Sequence, residues 1–396
     1  MLKKFVAAAM LTMLVFSLPA RVIDVRKKAE INPTITFAGA GDAVFSTEIG
    51  NILGVCGWFD VVPAGGKADF ELKISGATMA LYQQSHLVKS WNLPASSDKR
   101  ALAKTAVDTI IEFVFQQLKV RGFCHSRIAF CAETSPGVRN VFICDIDGRN
   151  VTPLTNYRTL NVEPCWSPDG KTLCFSKYGR SGIDIIETTL RTPRRSRIIS
   201  SFRGINAGAA ISPDGKYLAA ILSPDHHVDL YILGLHRREK RRLTRGIAVE
   251  ASPCWSPDGS RLAFVSDSRG NPRVFVISAT GGNATLIPVV SGGVDAVTPS
   301  WSGDDQIAYA TRLRGGSNYV VAVYDMRSGE NRVVSKGSGS WESPCWAADN
   351  RHVVCKRTVN GKSELWVLDT RTGRERMLLR TGSRLFDPAW SPCQLR

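Results

Sequence analysis

Short apolar runs dominate residues 122–396, and each stops at a group of Gly, Pro, Asp, Asn or Ser. That is the pattern of strands separated by turns. One stretch keeps returning: EPCWSPDG at 163–170, GAAISPDG at 208–215, SPCWSPDG at 252–259, TPSWSGDD at 298–305, SPCWAADN at 343–350 and DPAWSP at 387–392. Its key positions are Trp166, Ile211, Trp255, Trp301, Trp346 and Trp390, spaced by 45, 44, 46, 45 and 44 residues. In Ser-Pro-Asp-Gly the proline presets φ and the glycine tolerates the exit conformation, so this is a turn. A strand enters it, a second leaves it (RLAFVS at 261–266), a third follows (RVFVIS at 273–278), and a polar stretch leads to a fourth. Four short antiparallel strands per unit of this length predict a propeller blade, with the Trp packed between blades. Six pairs of central strands can be counted, beginning with 128–130 and 141–146 and ending with 353–355 and 364–368. The first blade lacks a Trp strand, and the last Trp strand, 388–391, stands alone. Circular closure is therefore expected, because it removes an exposed edge.

Residues 21–121 lack the repeat. Strands are predicted at 34–38, 59–62, 69–75 and 87–91, and a helix at 43–55. Ser96, Ser97 and Asp98 cap a second helix running to about Leu118, with Leu102, Ala106, Ile110, Phe113 and Val114 or Phe115 on its apolar face. Gly39-Ala40-Gly41 reads as a turn, since a phosphate loop would need a further glycine in register and a Lys-Ser/Thr pair. Ahead of this lie a basic start (Lys3, Lys4) and an apolar run at 5–18. That run is shorter than the roughly 20 residues of a membrane span and fits a secretion signal cut after Ala20. The expected organisation is a signal peptide at 1–20, an α/β N-terminal domain at 21–121, and an all-β six-bladed β-propeller at 122–396 closed by the C-terminal strand. An exported monomer with no membrane span is expected.

The net charge is +16 and the pI about 9.6, which favours anionic partners. The densest basic runs are 191–197 and 236–245; no aromatic is interleaved and no nucleic-acid motif accompanies them, so nucleic-acid binding is not expected. The ten cysteines include no Cys-x-x-Cys pair. Cys165, Cys254 and Cys345 each precede a repeated Trp and read as small buried apolar groups, while Cys131 and Cys144 read as neighbours on one hairpin, in reach of a disulfide. A catalytic serine would need a Gly-x-Ser-x-Gly elbow, and none occurs. The six histidines show no metal-ligand spacing. No catalytic residue, metal or cofactor is expected. The loops leading into the repeated strands reach one end of the channel and carry Glu163, Glu250, Asp295, Glu342 and Asp387. They predict an exposed acidic ring suited to a basic surface or a cation, with oxygen-only ligands of the kind calcium takes.

The chain also resembles a known family. The stretches ILGVCGWFDVV at 52–62 and RGFCHSRIAF at 121–130, the WSPDG repeats and the PAWSP ending are similar to TolB, the family of soluble periplasmic components of the Tol–Pal envelope system. The resemblance implies a non-enzymatic interaction protein of the periplasm. It implies that the mature N-terminal segment, here Arg21, Val22, Ile23, Asp24, Val25 and Arg26, contacts the inner-membrane protein TolA. It implies that the propeller mouth grips the lipoprotein Pal, with Ile205, Asn206 and Ala207 in the contacting loop. The system would support envelope integrity and outer-membrane constriction at division. The alternative is an exported propeller that binds another envelope protein or a glycan.

Overall fold

A computed structural model describes residues 31–392 apart from 39–41, 181 and 194. The expected leader, the 21–26 segment and the Gly39–Gly41 turn lie outside the described residues.

The first part is a five-stranded sheet with two helices. Its elements are β1 (Thr34–Ala38), α1 (Ala43–Cys56), β2 (Asp60–Val62), β3 (Phe70–Ser75), β4 (Thr78–Gln83), β5 (His86–Asn92) and α2 (Lys99–Val114), with strand order β2-β1-β3-β4-β5. β1 runs parallel to both β2 and β3, and β3, β4 and β5 form an antiparallel meander. Asp42 and Asp98 cap the helices by accepting from the Phe45 and Ala101 amides at 3.0 and 2.9 Å. Gly57 ends α1 at φ 73°, where a Cβ would collide with the His352 ring. The buried face of α2 is Leu102, Ala103, Ala106, Val107, Ile110, Ile111 and Val114. Phe113 is only partly buried and stands edge-on to Trp91.

Six four-stranded sheets follow. Their inner strands are Leu385–Trp390 (blade 1), Asn161–Trp166 (blade 2), Asn206–Ile211 (blade 3), Glu250–Trp255 (blade 4), Val297–Trp301 (blade 5) and Ser340–Trp346 (blade 6). The C-terminal strand pairs with Arg127–Ser135, so the ring is closed as expected. The repeated turn is held locally. The Ser167 hydroxyl donates to Asp169 at 2.6 Å and accepts from the Thr172 amide at 3.0 Å, and Ser212 and Ser256 repeat the pattern. The tryptophans join blades: Trp166 Nε1 donates to the Ala389 carbonyl and Trp255 Nε1 to the Ala210 carbonyl.

Two cysteine expectations are corrected. Cys131 lies opposite Val141 and Cys144 opposite Ile128, so they are not cross-strand partners, and both are free. Cys345 is half-buried and its sulfur accepts from the Trp390 amide at 3.2 Å. Ser300 serves Trp346 in the same way. At Cys345 and Ser300 the residue before the Trp is thus a blade-to-blade acceptor as well as a filler.

Strand direction fixes two faces. Loops leading into the inner strands mark the mouth face; the Ser-Pro-Asp-Gly turns mark the opposite, turn face. The α/β part packs on the turn face at blades 6 and 1. Trp58 Nε1 donates to Asp349 at 3.0 Å, Arg351 to Asn32 at 2.6 Å, and Arg374 pairs with Asp60. Arg100 and Lys104 of α2 hold Asp145 at 3.0 Å each, and Arg149 reaches back to Glu48. One hydrophobic cluster runs through the junction, from Ile52 and Trp58 to Phe123 and Trp390.

Candidate functional site

Three residues before each repeated Trp, every inner strand changes register against its neighbour. The residues there are Glu163, Gly208, Ser252, Thr298, Ser343 and Asp387, all left-handed with φ between 47 and 61°. Only one is glycine, so five carry strain of about 1–3 kcal/mol each. Five are followed by proline, which suits an inner strand whose outward edge needs no ladder donor. These bulges gather around a cavity of about 180 Å³ on the channel axis. At about 30 Å³ per water, that volume holds a few waters or one side chain.

The acidic residues do not form the exposed ring that the sequence suggests. Glu163 and Asp387 are brought together on adjacent blades: the Glu163 amide donates to Asp387 at 3.4 Å, and Glu163 Oε2 accepts from Ser176 and the Gly208 amide at 3.0 Å each. Burial pushes both carboxyls above their usual range, against those hydrogen bonds. Asp295 is 1% exposed and held by the Arg312 amide and Nε at 2.8 and 2.7 Å. Glu342 is half-buried and paired with Lys356 at 2.8 Å. Charges so placed are consumed internally, and an alternating pattern in sequence cannot reveal that. Of the loop residues, Ile205 is half-buried with its amide bonded to Ser223, Asn206 is buried, and Ala207 is half-buried.

Glu250 is different. The corresponding position in blades 2 and 3 is Asn161 or Asn206, whose side-chain amide ties the incoming loop: Asn161 to the Arg139 and Thr159 carbonyls, Asn206 to the Phe202 carbonyl. As a carboxylate, Glu250 cannot donate. It is 7% exposed, its Oε2 has no hydrogen-bond partner, and burial pushes its carboxyl up to about 7. The loop at 244–249 stands off, with Ile247 97% exposed, and a groove of about 970 Å³ opens between blades 3 and 4. Leu243, Phe264 and Phe275 line it beside Asp267 and Arg269. Sequence reasoning missed this groove, although the Asn-to-Glu change within the repeat was its signal. Because the folded-state value lies above the unfolded one, Glu250 costs nothing below about pH 4 and destabilises as pH rises through 7. Glu250→Gln should raise stability by about 1–3 kcal/mol at pH 8 and leave it unchanged at pH 4, read by thermal melting at both.

Among the described residues no His, Cys, Asp or Glu cluster could hold a metal ion. No described helix is long and apolar enough to cross a membrane.

Comparison with known proteins fits this architecture. The family model for the TolB beta propeller domain matches residues 115–394. A TolB homolog of Chlorobium chlorochromatii is 34% identical over 175 residues, covering 43% of this chain and 37% of that protein. The Tol-Pal system protein TolB of Helicobacter pylori is 26% identical over 207 residues, covering 52% and 49%. The chain thus spans about half the length, or less, of these curated relatives. The crystal structure of TolB from Acinetobacter baumannii superposes with a TM-score of 0.79 at 22% identity, over 91% of this chain and 97% of that one. A model match over well more than half of the chain decides the matter: this chain belongs to the TolB β-propeller family.

Proposed function

We propose that the chain is a non-enzymatic, periplasmic interaction component of a Tol–Pal system. In this reading the propeller's mouth face holds the outer-membrane lipoprotein Pal. The segment Arg21–Arg26 engages TolA, and the bridge between inner-membrane Tol proteins and Pal supports envelope integrity and constriction at division. The observation that carries it is the family match across the whole ring. The mouth adds physical support. Its loops, with the groove beside Glu250, form a rim of the kind propellers use for docking.

The test is titration of the chain from Arg21 onward with its own Pal. Glu163 and Glu250 are structural, so the informative variant combines Ile205→Asp with Glu342→Gln, two half-buried mouth positions. Affinity should fall at least about tenfold, equal to about 1.4 kcal/mol, with the melting temperature unchanged. Unchanged affinity moves the interface off this mouth; no affinity in the parent chain removes the Pal reading.

A further inference from the structure

The two arginine-rich stretches lie 45 residues apart in sequence, and the ring makes them neighbours. The first begins in the turn between the third and fourth strands of blade 2 (Ile183–Thr189 and Ser196–Ser200), and the second in the turn between those of blade 3 (Asp229–Gly234 and Lys240–Arg242). Both turns lie on the turn face. Ile199, just beyond the first, and Leu235, at the start of the second, pack on one hydrophobic cluster between the blades. Arg191, Arg195, Arg237 and Arg238 are exposed, and none has a carboxylate within ion-pair distance among the described residues. Lys171 and Lys216, in the Ser-Pro-Asp-Gly turns of the same blades, face the aspartates of their own turns, Asp169 and Asp214, at 4.0 and 3.5 Å and add no net charge, so the excess rests on the four arginines.

The rest of this face differs. The matching turn of blade 4, ATGGNA at 279–284, carries no charge, and that of blade 5, MRSGE at 326–330, offsets its one arginine, Arg327, with Glu330. In blades 6 and 1 the arginines Arg374 and Arg149 are spent on Asp60 and Glu48 of the α/β part. Unneutralised positive charge is therefore concentrated in one sector of the turn face.

We propose that the turn-face rim of blades 2 and 3 is a docking surface for a bilayer rich in anionic phospholipid. Guanidinium groups on hairpin tips can meet phosphates on a flat surface without rearrangement of the sheets. Ile198, 62% exposed on the outermost strand beside Arg197, adds an apolar group at the same edge. The turns themselves hold no Phe, Tyr or Trp on which a base could stack, which disfavours single-stranded nucleic acid.

The experiment is co-sedimentation of the chain from Arg21 onward with phosphatidylglycerol-containing and pure phosphatidylcholine vesicles, at low and high salt. Binding is expected only to the anionic vesicles and should fade as salt rises. The variant Arg191→Glu, Arg195→Glu, Arg237→Glu, Arg238→Glu should lose at least about 100-fold in partitioning, given about 1 kcal/mol for each basic residue near the surface. A control with Arg180→Glu, Arg245→Glu, Arg269→Glu, Arg314→Glu makes the same charge change on the mouth face and should bind like the parent. Melting curves confirm both folds, and the four-fold Arg→Gln variant replaces the first if its fold is disturbed. Equal loss in the control, no loss in the patch variant, or tighter binding to a short nucleic acid than to the anionic vesicles overturns the proposal.

Discussion

A chain lacking residues 387–396 should be insoluble or melt without a cooperative transition. Those residues hold most of the inner strand of blade 1, and its partner Arg127–Ser135 comes from the other end of the ring. Trp390 Nε1 donates to Ser126 Oγ at 2.7 Å, the Ser391 amide donates to the Arg127 carbonyl at 2.8 Å, and the Arg127 amide donates to Ser391 Oγ at 2.8 Å. Without the strand, Ile128, Ala129 and Phe130, all 0–1% exposed, face water along an open edge. Trp390→Ala alone should cost about 3–5 kcal/mol, against a total stability of roughly 5–15 kcal/mol for an ordinary domain. Soluble yield and a thermal melt decide the case; an unchanged melting temperature in the truncated chain contradicts the closure.

The second large effect is expected at the junction of the two parts. Arg351 is 3% exposed; its Nε and Nη2 donate to Asp369 at 2.9 and 2.6 Å, and the guanidinium stands 4.5 Å from the centre of the Trp58 ring. Arg351→Ala leaves Asp369 buried without its cation and should cost about 3–5 kcal/mol. Arg351→Met with Asp369→Asn should recover much of that loss. Burial would raise the Asp369 carboxyl, but hydrogen bonds from Arg351 and the charges of His352 and Arg351 outweigh it and hold the carboxyl well below its usual range. Asp349 is likewise held low, through His352 at 2.6 Å. With both values depressed, their contribution is present above about pH 4 and is lost as pH falls below it. Calorimetry at neutral and acid pH should show the parent losing stability that the double variant no longer has to lose. A parent with no acid loss, or an Arg351→Ala chain as stable as the parent, contradicts the latch.

The ring was legible because the blades solve the same packing problem in the same register, so a Trp, replaced once by Ile211, returns every 44–46 positions and announces it. β4 was not legible: its hairpin to β5 turns through Gln84 and Ser85 at φ 51 and 66°, where glycine or asparagine would ordinarily mark a turn. The second helix reads too long because Lys119 at φ 53° is no better marked; the chain leaves the α-helix at Phe115 for a short 3₁₀ turn, Gln116–Leu118. The channel waist was half-written. The residue three before each Trp, followed by proline in five of six cases, was in plain view, but Glu, Ser, Thr and Asp do not disclose a left-handed backbone. The acidic positions were found, yet their burial depends on partners such as Arg312 and Lys356, which local sequence does not name.

Asn32 gives the junction a mechanical meaning. It lies two residues ahead of β1, donates to the Gly57 carbonyl and Asp60 at 3.0 and 3.2 Å, and accepts from Arg351 of blade 6. β1 itself lies between β2 and β3, paired in parallel with both. A pull on the chain ahead of Asn32, along the strand axis, loads both ladders in shear rather than opening them bond by bond. The same pull strains the Asn32–Arg351 contact first. Tension at this end is thereby delivered into the propeller through one guanidinium before any strand has to slide.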